Sequence, residues 1–434
     1  MGDIIKVEPA ARDAGTLQDA NDVLSGTSQK GKLAKLLPFL GPAFIASVAY
    51  MDPGNFATNI AGGAQFGYML LWVIVASNLM AMLLQTLSAK LGIATGQNLA
   101  EMCRNRFPKP VVWFLWVLME IVAMSTDLAE FLGAALGFNL LLGVPMWLAG
   151  ILTAIATFLI LGLERYGFRP IEAVITALIA VVAGSYLIET ILDKPDWAAV
   201  AHGALVPQFS GPESVVLAAG ILGATVMPHA LFLHSSLTQN RIVVKTTAHK
   251  KRLYRFEIAD VGIAMGVAGL VNMAMLIMAA STFYYSGLNH VATIEDAYLT
   301  LQPLLGPLAG IVFAISLLAS GLSSAAVGTM AGQVIMQGFL HRHIQPWLRR
   351  LVTMLPSLIV IAIGLNPTRV LVLSQVVLSF GLPFAVVPLI IFTRRRDVMG
   401  ELVNRRITTL LAICAATVII GLNIYLLYQI FFGA

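Results

Sequence analysis

Long uncharged stretches dominate this chain. Apolar runs of roughly 20 residues or more, enough for a helix to span a bilayer, recur at 37–64, 69–93, 111–138, 145–163, 170–191, 213–238, 256–283, 307–338, 347–365, 369–392 and 408–431. The pattern predicts eleven membrane helices and an all-α polytopic membrane protein. Two of the runs are interrupted. Residues 36–50 and 56–89 carry no Asp, Glu, Lys or Arg, yet between them stands Tyr50-Met51-Asp52-Pro53-Gly54-Asn55. The sixth run is broken by Ala224-Thr225-Val226-Met227-Pro228-His229. Proline lacks an N–H and cannot bond the carbonyl four residues back. Pro53 therefore frees the carbonyl of Ala49, and Pro228 that of Ala224. No water satisfies such groups at membrane depth, so a break persists there only where it lines a protected site.

The breaks fall in helices 1 and 6. Five helices, an odd number, separate them, so the second unit enters the membrane from the opposite side. The expected architecture is two inverted five-helix repeats, about 37–191 and 213–392, with an extra helix at about 408–431. Residues 36–434 would form the transmembrane domain. Residues 1–35 are polar and mixed in charge, which predicts a disordered cytoplasmic tail and no signal peptide.

Composition supports a life in lipid: 58% of residues are hydrophobic and 11% charged, against about 25% charged in soluble domains. The net charge of +5 could suggest nucleic acid, but its distribution argues against that. With the N-terminus inside, every Lys and Arg except Lys194 and Arg369 falls in an inside segment. This is the positive-inside pattern. It predicts a multi-pass protein of the cell (inner) membrane, N-terminus cytoplasmic and C-terminus external. Its only macromolecular surroundings would be the lipid bilayer, with no oligomer required. Cys103 and Cys414, in an inside loop and the last helix, predict neither a disulfide nor a metal site.

The breaks gather an unusual donor set. Asp52 brings a carboxylate, Asn55 an amide oxygen and Met227 a thioether, beside the freed carbonyls of Ala49 and Ala224. Oxygen donors alone suit Mg²⁺ or Ca²⁺. A thioether favours softer ions, tilting the set toward Mn²⁺, Fe²⁺, Co²⁺ or Cd²⁺. Plainer readings exist: Asp-Pro-Gly-Asn in a loop is a turn, and Met227, one of 18 methionines, could fill core. The uncharged flanks leave the carboxylate without a partner, and Met227 adjoins the second break; both favour ligation.

Helix 3 holds Glu120, Asp127 and Glu130. At helical spacing Glu120 and Asp127 differ by about 20°, with Glu130 within about a quarter turn, and the three climb about 15 Å. Arg349 and Arg350 open helix 9 as candidate partners, and His229 adjoins the second break. Two readings stand: a proton route, or a satisfied salt-bridge cluster. His234 reads as a core histidine; five residues from His229, it makes a poor metal pair with it. Gly321, Ser324, Gly328 and Gly332 on helix 8 read as small-residue packing. Asn78, Gln85 and Asn272 read as interhelical hydrogen-bonding groups.

Asp52-Pro53-Gly54-Asn55 and Met227-Pro228-His229 resemble the signatures of the natural resistance-associated macrophage protein (Nramp) family, proton-coupled divalent-metal transporters. Thr126-Asp127-Leu128-Ala129-Glu130 and Ser320-Gly321-Leu322-Ser323-Ser324 extend the resemblance, which runs from about Leu37 onward and is closest to the bacterial manganese branch. It implies a LeuT-type fold. It implies metal ligation by Asp52, Asn55, Met227 and the Ala224 carbonyl, with the Ala49 carbonyl and Gln375 joining in some states. It also implies that the helix-3 acids, His229 and the second arginine, Arg350, form a polar network leading to the cytoplasm. The expected function is import of Mn²⁺ foremost, with Fe²⁺, Co²⁺ and Cd²⁺, by alternating access coupled to inward protons, with no cofactor. Asp52 would be both ligand and, when no metal is bound, proton acceptor. The rivals are an intramembrane metalloenzyme, whose His-Glu-x-x-His constellation is missing, and a passive channel, against which the paired breaks argue.

Overall fold

The computed structural model describes residues 14–31, 34–163, 168–239, 241–242, 244, 246–288, 293–342 and 344–432. Helices fill this length, with no strand among the described residues. The first half contains α1 (Ala14–Ser25), α2 (Pro42–Val48), α3 (Pro53–Phe66), α4 (Leu71–Thr95), α5 (Leu99–Arg106), α6 (Lys109–Leu142), α7 (Met146–Gly162), α8 (Phe168–Asp193) and α9 (Trp197–Leu205). The second contains α10 (Gly211–Thr225), α11 (Pro228–Thr238), α12 (Thr247–Ala279), α13 (Ile294–Leu305), α14 (Pro307–Leu340), α15 (Pro346–Ala362), α16 (Pro367–Thr393), α17 (Arg396–Met399) and α18 (Arg406–Phe432).

Each of the eleven apolar runs corresponds to helix here, and the first and sixth are each split in two. Pro53 and Pro228 stand at the first positions of α3 and α11, where a missing N–H costs nothing. Eight of the continuous segments are long and apolar enough to cross a membrane. Their outer faces are greasy: Trp113, Phe114, Val117 and Ile121 on α6, and Ile407, Leu410, Leu411 and Ile424 on α18, are exposed. A surface of this kind is stable only against lipid.

The two broken helices lie antiparallel at the centre. α3 packs on α10 while α2 packs on α11, so the first half of each helix lies beside the second half of the other. This is the inverted relation expected from the odd spacing. Around them, α6 and α14 form the most extensive helix pair. Their approach needs glycine. A Cβ on Gly321 would lie 2.6 Å from the Ala134 amide nitrogen, and one on Gly137 would lie 2.8 Å from Leu318.

Five helices fall outside the eleven runs: α1, α5, α9, α13 and the single turn α17. α5 carries a capping box, Asn98 accepting from Glu101 N–H while Glu101 accepts from Asn98 N–H. α1 departs from the expectation of a wholly disordered tail. Ala20, Val23 and Leu24 are buried against Phe39, Ile93, Ile242 and Leu253, and Arg252 donates to the Leu24 carbonyl at 3.0 Å. Apolar residues three and four apart give α1 one face to bury. Residues 1–13 of that expected tail lie outside the described residues.

Replacing Gly321 with Val should force α6 and α14 apart at a backbone contact. A loss of about 1–3 kcal/mol or more is expected for such overpacking. It should appear as a lower apparent melting temperature in detergent, followed by size-exclusion chromatography; an unchanged melting temperature would contradict the close approach.

Candidate metal centre

The residues at the first break build their own geometry. A short 3-10 turn, Ala49–Met51, ends α2, and the chain then becomes extended at Asp52. Asp52 caps α3: its Oδ1 accepts from the Asn55 backbone N–H at 2.9 Å and from Asn55 Nδ2 at 2.7 Å. Asn55 Nδ2 also donates to the Ala224 carbonyl at 3.0 Å, across to the other broken helix. The carbonyl freed by Pro228 is thus met by an amide from the first repeat. At the second break α10 ends at Thr225, and Met227 is extended at the N-cap of α11.

Asp52, Asn55, Ala224 and Met227 are all fully buried. Within this shell several acceptors lack partners: Asp52 Oδ2, Asn55 Oδ1 and Gln375 Oε1. A buried acceptor without a donor is expensive, and a cation is the group that would satisfy several at once. Gln375 reaches the centre from α16 because glycines let it. A Cβ on Gly54 would collide with its side-chain amide, and one on Gly223 would lie 2.8 Å from its backbone oxygen. The two half-helices ending here, α2 and α10, turn their carbonyl ends to the centre, the end of a helix that favours positive charge. Ala49, the remaining expected ligand, lies in the 3-10 turn just before Asp52.

Further hydrogen bonds hold the first break in place. Asn272 on α12 donates to the Tyr50 carbonyl at 2.7 Å and accepts from Asn59 Nδ2 at 2.9 Å. Ser320 on α14 donates to the Met51 carbonyl at 2.5 Å. Ser320, which sequence reading noted only within a family motif, anchors the break.

The helix-3 acids meet the helix-9 arginines pair by pair. Arg350 Nη1 donates to Asp127 Oδ1 at 2.8 Å, both fully or nearly fully buried. Arg349 clasps both oxygens of Glu120, at 3.2 and 2.7 Å. Glu130 is different: it is fully buried and neither of its carboxylate oxygens has a partner. His229 shares a hydrogen bond of 3.2 Å with Thr126 Oγ1, and its Nε2 is unpartnered. The glycines of α14 make room for this network. A Cβ on Gly328 would lie 2.5 Å from Glu130 Oε2 and 3.0 Å from Asp127 Oδ1. Gly332 faces the Arg349 guanidinium. Gly321 of that stripe faces the Ala134 backbone instead, and Ser324 bonds only the Gly321 carbonyl of its own helix.

His234 belongs to a second polar chain. Gln85 Nε2 donates to Tyr50 Oη at 2.6 Å, and Gln85 Oε1 pairs with His234 Nδ1 at 2.9 Å. His234 Nε2 meets Glu257 Oε1 at 2.9 Å. One turn on, Asp260 accepts from the backbone N–H groups of Gly41 and Ala43, at 3.4 and 2.9 Å, capping α2. Sequence reading missed Glu257 and Asp260. Their signal was present: two acids three apart on the same helix, at the head of an apolar run.

With this geometry in view, the chain can be set beside known proteins. The family model described as natural resistance-associated macrophage protein-like (Nramp) matches residues 43–429. The divalent metal cation transporter MntH of Deinococcus radiodurans is 56% identical over 414 residues, covering 95% of both chains. That of Chromohalobacter salexigens is 53% identical over 422 residues, covering 97% of each. The crystal structure of the Eremococcus coleocola manganese transporter, in complex with an aromatic bis-isothiourea compound, superposes with a TM-score of 0.83 at 36% identity, over 91% of this chain and 87% of that one. Mhp1, a nucleobase-cation-symport-1 transporter in a closed conformation, gives a TM-score of 0.60 at 15% identity over 89% and 88%. That last likeness concerns the fold alone, and the fold is the LeuT type.

Proposed function

Because the chain belongs to the Nramp family, a family of transporters rather than enzymes, we propose that it imports divalent transition-metal ions, Mn²⁺ foremost with Fe²⁺, Co²⁺ and Cd²⁺, coupled to inward proton movement. The observation that carries the reading is the set of buried, unpartnered oxygens of Asp52, Asn55 and Gln375 beside Met227. One carboxylate and several neutral oxygens offer an ion modest charge, and the sulfur disfavours the abundant hard cations. The membrane is the cytoplasmic one, with the N-terminus and the basic clusters inside and the C-terminus outside, following the positive-inside rule.

Asp52 serves both ions. Its Oδ1 is held by Asn55, which leaves Oδ2 for the metal or for a proton. A proton leaving Asp52 as metal binds has acceptors nearby in His229 Nε2 and the carboxylate of Glu130, both unpartnered. Beyond them the Asp127–Arg350 and Glu120–Arg349 pairs continue toward the end of the bundle where the basic clusters lie. Metal and proton thus share Asp52 and part beyond it. Access alternates as one bundle rocks about the fixed centre.

Three outcomes test this reading. Wild-type protein in proteoliposomes should take up Mn²⁺ and acidify the interior, and Asp52→Ala should abolish uptake. The variant should remain folded, because the substitution that loses the cap also removes a carboxylate buried without a counter-charge. Robust Mn²⁺ uptake by a well-expressed Asp52→Ala protein would remove Asp52 from the centre.

Asp127→Asn and Arg350→Ala, which lie away from the ligand shell, should reduce proton entry far more than Mn²⁺ affinity. Internal pH recorded alongside Mn²⁺ binding separates the two; equal losses in both would assign the pair a structural role.

Met227→Ala should relax selectivity more than it weakens Mn²⁺ transport, because water can replace sulfur around Mn²⁺. Excess unlabelled Ca²⁺ or Mg²⁺ should compete with labelled Mn²⁺ in the variant and not in wild type, while Cd²⁺ uptake falls most. Continued rejection of both hard ions would locate selectivity in the size of the centre instead.

A further inference from the structure

A second concentration of uncompensated acid lies in the final two turns of α8. Glu189 is fully buried, and neither of its carboxylate oxygens has a hydrogen-bond partner. Asp193, one turn later on the same face, accepts from Thr282 Oγ1 at 2.7 Å through Oδ1, while its Oδ2 is unpartnered. Tyr186, one turn earlier, is buried on the same side of the helix. Neither acid has an ion-pair partner among the described residues.

A structural role would place these charges elsewhere. The C-terminal end of a helix carries partial negative charge and free carbonyls, and it favours cations. α8 has no basic residue in its last turn and two acids near it. Burying a carboxylate without a counter-charge costs several kcal/mol. The facing element is irregular as well. α12 runs into a π-helical turn, Ala280–Tyr284, a feature that recurs at functional sites. This turn presents Thr282 to Asp193 and Ser281 to Tyr68 Oη, at 2.8 Å.

We propose that Glu189 and Asp193, with the hydroxyls of Tyr186 and Thr282, form a second cation site, at the end of the bundle opposite the basic clusters. Its donors are oxygens only, two of them carboxylates. It therefore takes a hard divalent cation, Ca²⁺ or Mn²⁺, without the preference for soft ions that Met227 gives the central site. Protons compete for the same oxygens. The site goes beyond the import reading and is separate from the centre at Asp52. It adjoins that centre's machinery, because Tyr186 packs edge-on against Phe56 of α3, with ring centroids 5.5 Å apart.

Equilibrium dialysis of the full chain in detergent, with Mn²⁺ alone and with Ca²⁺ alone, tests this. The Asp52→Ala background removes the central carboxylate. At neutral pH that variant should still bind either ion with a dissociation constant on the order of 10⁻⁴–10⁻³ M, as weak external calcium modules do. Acidification should release the ion. Adding Glu189→Gln and Asp193→Asn should abolish binding. If Asp52→Ala binds neither ion in that range, or binds them equally well without the two carboxylates, the proposal fails. Tight Mn²⁺ binding that survives Asp52→Ala but ignores the α8 substitutions would count against this site and against the central assignment separately. Should the triple variant not fold, Asp193→Asn in the Asp52→Ala background decides: a roughly tenfold weaker constant supports the site, and an unchanged one overturns it.

Discussion

The Asn55 side-chain amide sits where the molecule is weakest. Two helices lose their backbone ladder at membrane depth, and one side chain repairs part of both. Asn55 Nδ2 reaches Asp52 Oδ1 within its own repeat and the Ala224 carbonyl in the other. Hydrocarbon offers no substitute donor, so the breaks are stable only side by side. That constraint explains the antiparallel contact of α2 with α11 and of α3 with α10. It also explains why the polar groups of the centre at Asp52, Asn55 and Met227 come from distant stretches of chain. The same bonds that stabilise the breaks orient Asp52 Oδ2 and Asn55 Oδ1 away from protein donors.

Polar groups elsewhere obey the same rule by different means. Asp127 and Glu120 are matched with arginines from α15, and His234 is held between Gln85 and Glu257. Glu130 is an exception within that network, and Glu189 is one outside it: each is a buried carboxylate with neither oxygen bonded. The backbone of α14 contributes by what it lacks: a side chain at Gly328 or Gly332 would occupy the space used by Glu130 and Arg349. A helix read as packing material is also the floor of an ionic network.

Much of this was legible because lipid makes sequence explicit. Charge is so costly in hydrocarbon that uncharged runs mark helices, and Pro53 and Pro228 mark their interruptions. The eleven runs became helices on that account, and the donor set of Asp52, Asn55 and Met227 was readable as a cluster because both breaks carried polar neighbours. Elements in water were less visible. α1, α5, α9 and α13 depend on caps and short amphipathic faces, which are weak signals in segments of 8–12 residues. Pairings across the bundle were not legible either. Nothing in the sequence says that Arg349 takes Glu120 and Arg350 takes Asp127, or that Ser320 bonds the Met51 carbonyl. Glu189, Glu257 and Asp260 were visible as acids in or beside apolar runs; what sequence lacked was the knowledge of which neighbours would leave them paired or alone.

The cap on α2 has a mechanical consequence. Its first N–H groups are held by Asp260 on α12, not by a residue of its own, and its far end stops at a break. α2 is therefore a short rigid lever, pinned at one tip by a latch on a neighbouring helix and jointed at the other. Hydrogen bonds to a charged group contribute about 1.5–3 kcal/mol each. Releasing two of them costs about 3–6 kcal/mol, so the unlatched form is a species of well under about 1%. The position of the first break thus depends on a carboxylate of the second repeat, and a change at Asp260 would be felt at Asp52 through α2.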